Sequence, residues 1–321
     1  MEYKKLTLDE FVKKYSSEEA CLETIISWRW PNGFSCPICD NEHAYRLDTR
    51  RVFQCCRCGS QTSITANTTF HQAKLPLTKW FLAIYLISAN KQGISAMSLS
   101  KHLGCCYPTA WHLLHKFRKA MSERDTQYFL RGKVVVDEAL VGSTTTPGQS
   151  PGRSTETKSL VIVAVEERND NCTGSITIEK ISSADSKTLH EVIARKVEQN
   201  STIKTDAWSG YNGIDKKGYN HEPEKSLGGS AACHQFPLVH RAISNLKTWL
   251  LGTFKNFCQG HLESYVAEFS YRTNRRNRGD DERKGNLRES TLSERLIGAA
   301  SIGHWFSWAQ IRASSGLAAS C

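Results

Sequence analysis

The chain has 321 residues, a formal net charge of +10 and 39% hydrophobic residues, so it is long enough for two domains with ordinary cores. No apolar run approaches the roughly 18 residues that indicate a membrane span, and we expect no membrane partner. Residues 1–20 are charged throughout and lack the apolar core of a signal peptide. We therefore expect a reducing compartment, in which the twelve cysteines are thiols or metal ligands rather than disulfides.

Two Cys-x-x-Cys pairs, Cys36/Cys39 and Cys55/Cys58, are separated by 15 residues. Each pair can place two thiolates about 3.5–4 Å apart, and a tetrahedral Zn²⁺ with Zn–S bonds of about 2.3 Å needs that spacing twice. The intervening segment alternates apolar and polar residues, as a hairpin does. The pattern predicts a structural zinc ribbon, against the alternatives of a redox pair or coincidence. Cys56 could replace one ligand, but Cys55 preserves the spacing.

Positive charge is concentrated between residues 43 and 124, which contain twelve Lys or Arg and only two acidic residues, Asp48 and Glu123. The excess of this segment equals the net charge of the whole chain. Such a local excess favours a polyanionic partner, most simply nucleic acid. A solvated basic face is the alternative.

A pair of helices is predicted after the zinc ribbon, over residues 95–121, because apolar residues recur at helical spacing on both sides of Gly104. Pro108 follows this glycine, where the first turn of a second helix tolerates it. A basic second helix after a glycine turn is typical of a DNA-binding helix-turn-helix. An ordinary helical hairpin is the alternative. The candidate DNA contacts on this helix are His112, Lys116, Arg118 and Lys119.

The spacing of apolar residues changes from Lys133 onward. Three short runs rich in β-branched residues predict an antiparallel meander, at residues 133–142, 159–167 and 174–182. A helix is predicted over residues 183–200, followed by a fourth strand that ends at Asp206. Three strands, a helix and a fourth strand form the order of an RNase H-like fold, in which the fourth strand pairs beside the first.

Two acidic residues end strands in this arrangement, Asp137 in the first and Asp206 in the fourth. Close carboxylates repel each other, and a divalent metal such as Mg²⁺ resolves the conflict. Taken singly, each aspartate is more typical of a strand end that caps a turn. Glu138 should point to the opposite face of the sheet and serve a structural role.

The segments "CPIC…QCCRCGSQTSITANTTF", "TDAWSGYNGI" and "VHRAISNLKTWLLGT…HLESYVAEFSYRTNRR" resemble the ISXO-type insertion-sequence transposases, which are distant relatives of the Merlin transposases. That family joins a zinc ribbon to a DDE-type integrase domain. The resemblance assigns the family's three acidic positions to Asp137, Asp206 and Asn245. At the third position many related elements have Glu, but this branch often has Asn. His240 and His261 are further polar candidates, with helix packing or capping as the alternative.

The expected fold class is α+β or α/β, with a zinc ribbon and helix-turn-helix followed by an RNase H-like mixed-sheet catalytic domain. The predicted limits are, in chain order, a helical segment at 1–30, the zinc ribbon at 31–70, the helix-turn-helix region at 71–130, the transposase domain at 131–278 and a poorly assigned tail at 279–321. Arg275 and Arg276 end the last predicted helix, either as DNA-backbone contacts or as a solvated helix end.

The resemblance implies a DNA transposase that binds terminal inverted repeats and target DNA as a homodimer or higher oligomer. It implies catalytic Mg²⁺ or Mn²⁺ and structural Zn²⁺, acting in a bacterial cytoplasm at the nucleoid, or in the nucleus of a eukaryote. One alternative is an inactive or domesticated DNA-binding derivative, which the departure from the family pattern at residues 139–143 leaves open. A zinc-ribbon transcription factor is the other, but it leaves residues 133–277 unexplained.

Overall fold

A computed structural model of the protein describes residues 6–142, 158–168, 172–225, 235–254, 257–276 and 292–302. The chain divides into two compact units. Among the described residues, the first unit comprises 6–124 and 292–302, and the second comprises the residues from 125 to 276.

The first unit begins with two short helices, α1 (Leu8–Lys14) and α2 (Glu18–Arg29). Each starts at a hydroxyl side chain that accepts a backbone hydrogen bond from its own first turn, which satisfies a donor that the helix leaves unpaired. Thr7 Oγ1 accepts from the N–H of Glu10 at 3.3 Å. The zinc-ribbon segment is anchored beside α2, because Arg29 donates to the carbonyl of Ser63 at 2.8 Å.

The cysteine-containing segment forms a small antiparallel sheet in the order β1-β2-β3. Its strands are β1 (Ala44–Leu47), β2 (Val52–Cys55) and β3 (Gln61–Ser63). The predicted hairpin between the two cysteine pairs is therefore confirmed as β1 and β2. The third strand was not predicted, because it has only three residues and all of them are polar.

Three helices follow, α3 (Leu77–Ala89), α4 (Ala96–Leu103) and α5 (Tyr107–Asp125). Helix α4 ends at Gly104, whose φ of 61° lies in the left-handed region that favours glycine. The short connection from Gly104 to α5 reproduces the predicted helix–turn–helix order.

The second unit is built on a five-stranded mixed sheet in the order β6-β5-β4-β7-β8. Its strands are β4 (Lys133–Gly142), β5 (Lys158–Arg168), β6 (Cys172–Ile181), β7 (Thr202–Asp206) and β8 (Asn220–Glu224). Strands β4, β5 and β6 are antiparallel, whereas β7 runs parallel to both β4 and β8. The prediction that the fourth strand pairs beside the first is confirmed, and β8 is an additional strand.

Helices cover both faces of this sheet. Helix α6 (Ser186–Lys196) packs on one face, and α7 (Pro237–Phe254) and α8 (Leu262–Arg276) pack on the other. Side chains of β4 alternate between the two cores, with Val135 facing α7 and α8 and Val136 facing α6. Burying an aliphatic side chain of this size contributes about 1.5–3 kcal/mol, so the two cores stabilise the sheet from both sides.

The edge strand β6 is covered by a side chain of α8. Asn274 Oδ1 accepts from the N–H of Ile176 at 2.7 Å, and its Nδ2 donates to the Ile176 carbonyl at 2.8 Å. The amide thereby occupies the backbone groups that an edge strand leaves unpaired.

The tail contains one described helix, α9 (Leu292–Ile302), which packs in the first unit against α2 and α3. The N–H of Thr69 donates to the carbonyl of Ala300 at 3.0 Å. A Cβ atom on Gly298 would lie 2.7 Å from the Trp28 ring, so the helices approach closely there. Among the described helices, none combines the length and apolarity needed to cross a membrane.

Candidate metal and nucleic-acid sites

The four predicted zinc ligands lie together in the first unit. Their sulfur atoms are all within 4.8 Å of one another, with Cys36 3.6 Å from Cys58 and Cys39 3.6 Å from Cys55. Sulfur atoms at the corners of a tetrahedron around Zn²⁺ are about 3.8 Å apart, given Zn–S bonds of about 2.3 Å. The cluster therefore fits a structural zinc ion. Cys56 is exposed and outside the cluster, which agrees with the choice of Cys55.

The electrostatics of the cluster favour a cation at its centre. A hydrogen bond with the Ser60 hydroxyl lowers the pKa of Cys36 to about 6. For Cys39 a backbone hydrogen bond acts to lower the pKa, but desolvation and the neighbouring thiols raise it to about 12. The four sulfurs therefore cannot all ionise side by side unless a metal ion balances their charge.

Asp137 and Asp206 are brought together by the pairing of β4 and β7. The residue pairs of this parallel ladder run from Lys133–Thr202 to Val135–Lys204. Continuing both strands by two residues places Asp137 opposite Asp206, and alternation puts both side chains on the face of α7 and α8. This is the adjacency that the RNase H-like order predicts.

The environment of Asp137 is unfavourable for an isolated carboxylate. Its side chain is 21% exposed, and its Oδ2 lies 3.9 Å from Nδ1 of His240 on α7. Burial raises the pKa of Asp137. His240, the N–H of Glu138 and Lys247 act to lower this pKa, whereas the charge of Asp206 raises it further. The N–H of Glu138 donates to Asp137 Oδ1 at 2.8 Å and orients the carboxylate.

Asp206 is held by the turn that follows β7. Its Oδ1 accepts from the N–H of Trp208 at 3.2 Å. The Trp208 ring is fixed in turn, because its Nε1 donates to the carbonyl of Ala184 at 3.2 Å. Both aspartates thus present carboxylate oxygens from restrained positions. Two partly desolvated carboxylates on one sheet face suit a divalent cation with oxygen ligands, such as Mg²⁺ or Mn²⁺.

Glu138 points to the opposite face, as the alternation of the strand predicts. Its Oε1 accepts a hydrogen bond from the Tyr211 hydroxyl. Burial raises the pKa of Glu138 to about 7, although the Tyr211 hydrogen bond acts to lower it. Tyr211 is itself fully buried in the core on the α6 face.

The remaining predicted site residues have different positions. Asn245 is exposed on α7, and five residues at 3.6 per turn place it about 140° around the helix from His240. His261 is half-buried in the short turn Gln259–His261 that precedes α8. The side chains of α7 that act on Asp137 are instead His240 and Lys247, which lie two turns apart. The sequence analysis missed Lys247, although its spacing of seven from His240 indicated a shared helix face.

The structure corrects two predicted DNA contacts on α5. Lys116 is 8% exposed, and its Nζ lies 3.4 Å from the carbonyls of Thr69 and His71. Arg118 is 2% exposed. Neither charge lies on a basic surface, because most of α5 is enclosed within the first unit. Both residues support the core of that unit instead.

The other candidates on α5 differ from each other. His112 is half-buried, and burial together with the Lys116 charge lowers its pKa to about 4, so it is neutral at pH 7. Lys119 is exposed and is the only one of the four predicted contacts that carries an exposed charge. The helix pair is also exposed near its turn, at Lys101, His102 and Tyr107.

The structure also corrects the prediction that Arg275 contacts DNA. Its side chain is 3% exposed, pairs with Asp125 at 2.6 Å and stacks 3.5 Å from the centre of the Tyr271 ring. Burial acts to lower the pKa of Arg275, but Tyr271 and Asp125 more than offset it, so the pKa is raised. This arginine joins α8 to the start of the second unit and does not reach outward. The side chain of Arg276 lies outside the described residues.

The chain thus combines a four-cysteine cluster that fits a zinc ribbon with a mixed sheet that carries an aspartate on each of two neighbouring parallel strands. Residues 16–61 match the transposase zinc-ribbon domain, and residues 129–274 match the ISXO2-like transposase domain. Together the two matches span more than half of the chain. The chain belongs to the ISXO-type insertion-sequence transposases, which confirms the resemblance predicted from its motifs.

One relative is the uncharacterized protein in transposable element ISH50 of Halobacterium salinarum. It is 26% identical over 221 residues, which are 64% of this chain and 72% of that protein. The Mos1 strand transfer complex aligns with 71% of this chain and 79% of its own at 12% identity and a TM-score of 0.29. A pre-cleavage Mos1 transpososome covers the same shares at 11% identity and a TM-score of 0.26.

Proposed function

We propose that this protein is the transposase of an insertion sequence, which binds the terminal inverted repeats and catalyses metal-dependent strand cleavage and strand transfer. The proposal rests on one observation above all. Asp137 and Asp206 occupy matched positions on neighbouring parallel strands of a domain that matches the ISXO2-like transposases. A non-catalytic scaffold has no need to hold two carboxylates against each other at partly buried positions.

The reaction is phosphoryl transfer on DNA in two stages. Water first attacks a phosphodiester at the transposon end, which breaks the P–O bond and frees a 3′-hydroxyl. That hydroxyl then attacks a phosphodiester of target DNA, so a new P–O bond forms while the target strand is cut. No protein nucleophile is required, because the attacking and leaving groups are both oxygen atoms of water or DNA.

The side chains have separate roles in this proposal. Asp137 and Asp206 hold the divalent cation, with Asn245 proposed as the third position from the family resemblance. A bound Mg²⁺ or Mn²⁺ supplies activation of the attacking oxygen and charge neutralisation at the phosphate. His240 and Lys247 place positive or proton-donating groups beside Asp137, where they restrain its carboxylate and favour an approaching phosphate. His261 remains a candidate for contact with the same DNA.

The first unit is proposed to bind the DNA ends of the element. The zinc ribbon exposes Arg50 and Arg57, and the helix pair exposes Lys101 and Lys119. These cations would contact phosphates, while Tyr107 at the exposed start of α5 lies where a recognition helix approaches bases. Synapsis of two ends implies a homodimer or higher oligomer. The reduced thiols of the ribbon suit the cytoplasm, with the nucleoid as the place of action.

The test is strand transfer by the purified full-length protein on DNA carrying the element's own ends, with Mg²⁺ or Mn²⁺. The Asp206→Ala protein serves as the matched control. We expect the wild type to join ends to target DNA, and the variant to bind the ends with similar affinity without joining them. Equal binding with no joining by either protein under either metal would overturn the catalytic proposal.

A further inference from the structure

The parallel ladder between β4 and β7 ends before it reaches the two aspartates. Its last pair is Val135–Lys204, so Asp137 and Asp206 each lie two residues beyond the last pair between β4 and β7. Each is paired only on its other side, Asp137 with Val163 of β5 and Asp206 with Glu224 of β8. Direct pairing between β4 and β7 therefore does not by itself set the separation of these two carboxylates. A metal site needs its ligands held to within about 0.5 Å, so a further restraint is required at this level of the sheet.

A side-chain hydrogen bond on the opposite face of the sheet meets this requirement. Glu138 follows Asp137 directly on β4, and Tyr211 follows Asp206 by five residues. The Tyr211 hydroxyl donates to Glu138 Oε1. This bond thus joins the middle of β4 to the turn after β7, on the sheet face opposite the two aspartates.

The turn that carries Tyr211 is itself rigid. Gly210 sits so close to its surroundings that an added Cβ would lie 2.7 Å from Trp208 Nε1 and 2.9 Å from the carbonyl of Ala184. The same Trp208 binds both Asp206 and Ala184 through hydrogen bonds. A displacement of Tyr211 is therefore transmitted through this turn to the Asp206 carboxylate.

We propose that Glu138 and Tyr211 form a clasp that fixes the distance between Asp137 and Asp206, and that both are positioning residues of the metal site. The inference rests on the proposed function, because it gives the clasp its purpose. Neither residue touches the DNA or the metal. Their effect is to hold the two carboxylates where one divalent cation can engage both.

The clasp is tested with Tyr211→Phe, which removes one hydroxyl from a fully buried ring. Tyr219→Phe is a matched control, because Tyr219 is 5% exposed in the same core and its hydroxyl donates to the carbonyl of Val197 at 3.1 Å. Mn²⁺ binding to the zinc-loaded protein is measured by electron paramagnetic resonance, alongside thermal unfolding. The metal concentration for half-maximal strand transfer is a second readout.

We expect Tyr211→Phe to weaken Mn²⁺ binding about 10–100-fold, the usual effect of removing a partner that orients a ligand. Tyr219→Phe should lose similar thermal stability with unchanged Mn²⁺ affinity. Glu138→Gln keeps an oxygen that accepts the Tyr211 hydrogen bond, so it should retain most of the affinity that Glu138→Ala loses. This rescue separates positioning from a general loss of folding.

Two results would overturn the inference in distinguishable ways. If Mn²⁺ affinity falls in Asp206→Asn but not in Tyr211→Phe, the proposed role of the clasp is refuted and the proposed metal site stands. If the wild type and Asp206→Asn have equal Mn²⁺ affinity, the proposed metal site is refuted, and the proposed role of the clasp is refuted with it. Weakened binding in both Asp206→Asn and Tyr211→Phe supports the clasp, whether or not strand transfer is observed.

Discussion

Oδ2 of Asp137 lies 3.9 Å from Nδ1 of His240, so the middle of strand β4 and helix α7 meet at a partly buried carboxylate. The charge of Asp206 acts on the same group and opposes its ionisation. The site thus combines a restraint with an electrostatic conflict. A fold tolerates such a conflict where a ligand relieves it, which is why this region carries the functional proposal.

The first prediction concerns Asp137→Asn in zinc-loaded protein without added Mg²⁺. Burial raises the pKa of Asp137, so its stabilising contribution is complete below the unfolded pKa and is lost as pH rises through the folded pKa. At pH 7 the variant should therefore melt at a higher temperature than the wild type. Strand transfer should fall at least about a hundredfold, because metal ions supply several kcal/mol to such reactions.

The exposed Asp215 provides the control for this prediction. Asp215→Asn removes the same charge from the same unit, and it should change neither melting temperature nor activity. A lower melting temperature in Asp137→Asn together with full activity would contradict the prediction.

The second prediction concerns the third ligand position of the metal site. It is tested by placing a carboxylate at each of two positions on α7. Asn245→Glu should lower the metal concentration for half-maximal strand transfer, because a carboxylate adds the negative charge that an amide lacks. Ser244→Glu is the comparison, since Ser244 is exposed one turn after His240 and lies on the His240 side of the helix. An improvement in Ser244→Glu alone would move the third ligand position away from Asn245.

The β-branched strands were predictable because their signal is local and strong. The prediction for residues 133–142 matches β4 to the residue, and the order of strands then led to the adjacency of Asp137 and Asp206. Strand β8 carried no such signal, since its five residues are polar or proline. It forms because β7 offers an open parallel edge, which only the folded sheet provides.

The burial of basic residues was not predictable from composition. Lys116, Arg118 and Arg275 look like surface cations in the sequence, because such side chains are rarely buried unless they are paired. The partners of Lys116 are backbone carbonyls that are distant in the chain. Arg275 pairs with Asp125, which lies 150 residues earlier. Charge patterning identifies a basic segment but does not say which cations face solvent.

The zinc site makes a third prediction. Cys58→Ser should reduce bound zinc, measured by mass spectrometry, from one ion per chain to near zero, and it should make residues 31–70 sensitive to proteolysis. Structural zinc contributes about 10–16 kcal/mol of apparent binding free energy in small modules, so the ribbon should not fold without it. Cys56→Ser alters an exposed neighbouring cysteine and should retain the metal. Loss of zinc in both variants would contradict the ligand assignment.

Lys116 makes a fourth prediction, on alkaline stability. Burial lowers its pKa from 10.5 to about 8, so between these values the unfolded chain holds a proton that the folded chain has released. This group should therefore add stability as pH rises from 8 to 10.5, by about 3 kcal/mol at 1.36 kcal/mol per pKa unit. Lys116→Met should lack that increase in urea unfolding, whereas the exposed Lys119→Met should keep it. Parallel pH profiles for both variants would contradict the prediction.

The last prediction tests how the tail helix packs. In an exposed helix, replacing glycine with alanine gains about 1 kcal/mol of helix propensity. At Gly298 the added Cβ would lie 2.7–2.9 Å from three atoms of the Trp28 ring, and overpacking of this kind costs about 1–3 kcal/mol. Gly298→Ala should therefore lower the free energy of unfolding despite its better propensity.

A second substitution separates the contact from other causes. Trp28→Leu removes the ring that the new methyl group meets, so Gly298→Ala should cost less in that background than in the wild type. Ile302→Ala, at a position 56% exposed, should have little effect in either background. If Gly298→Ala instead stabilises the protein by about 1 kcal/mol in urea unfolding, α9 does not pack on α2 at Trp28. A measured loss that Trp28→Leu reduces would establish that the tail completes the first unit.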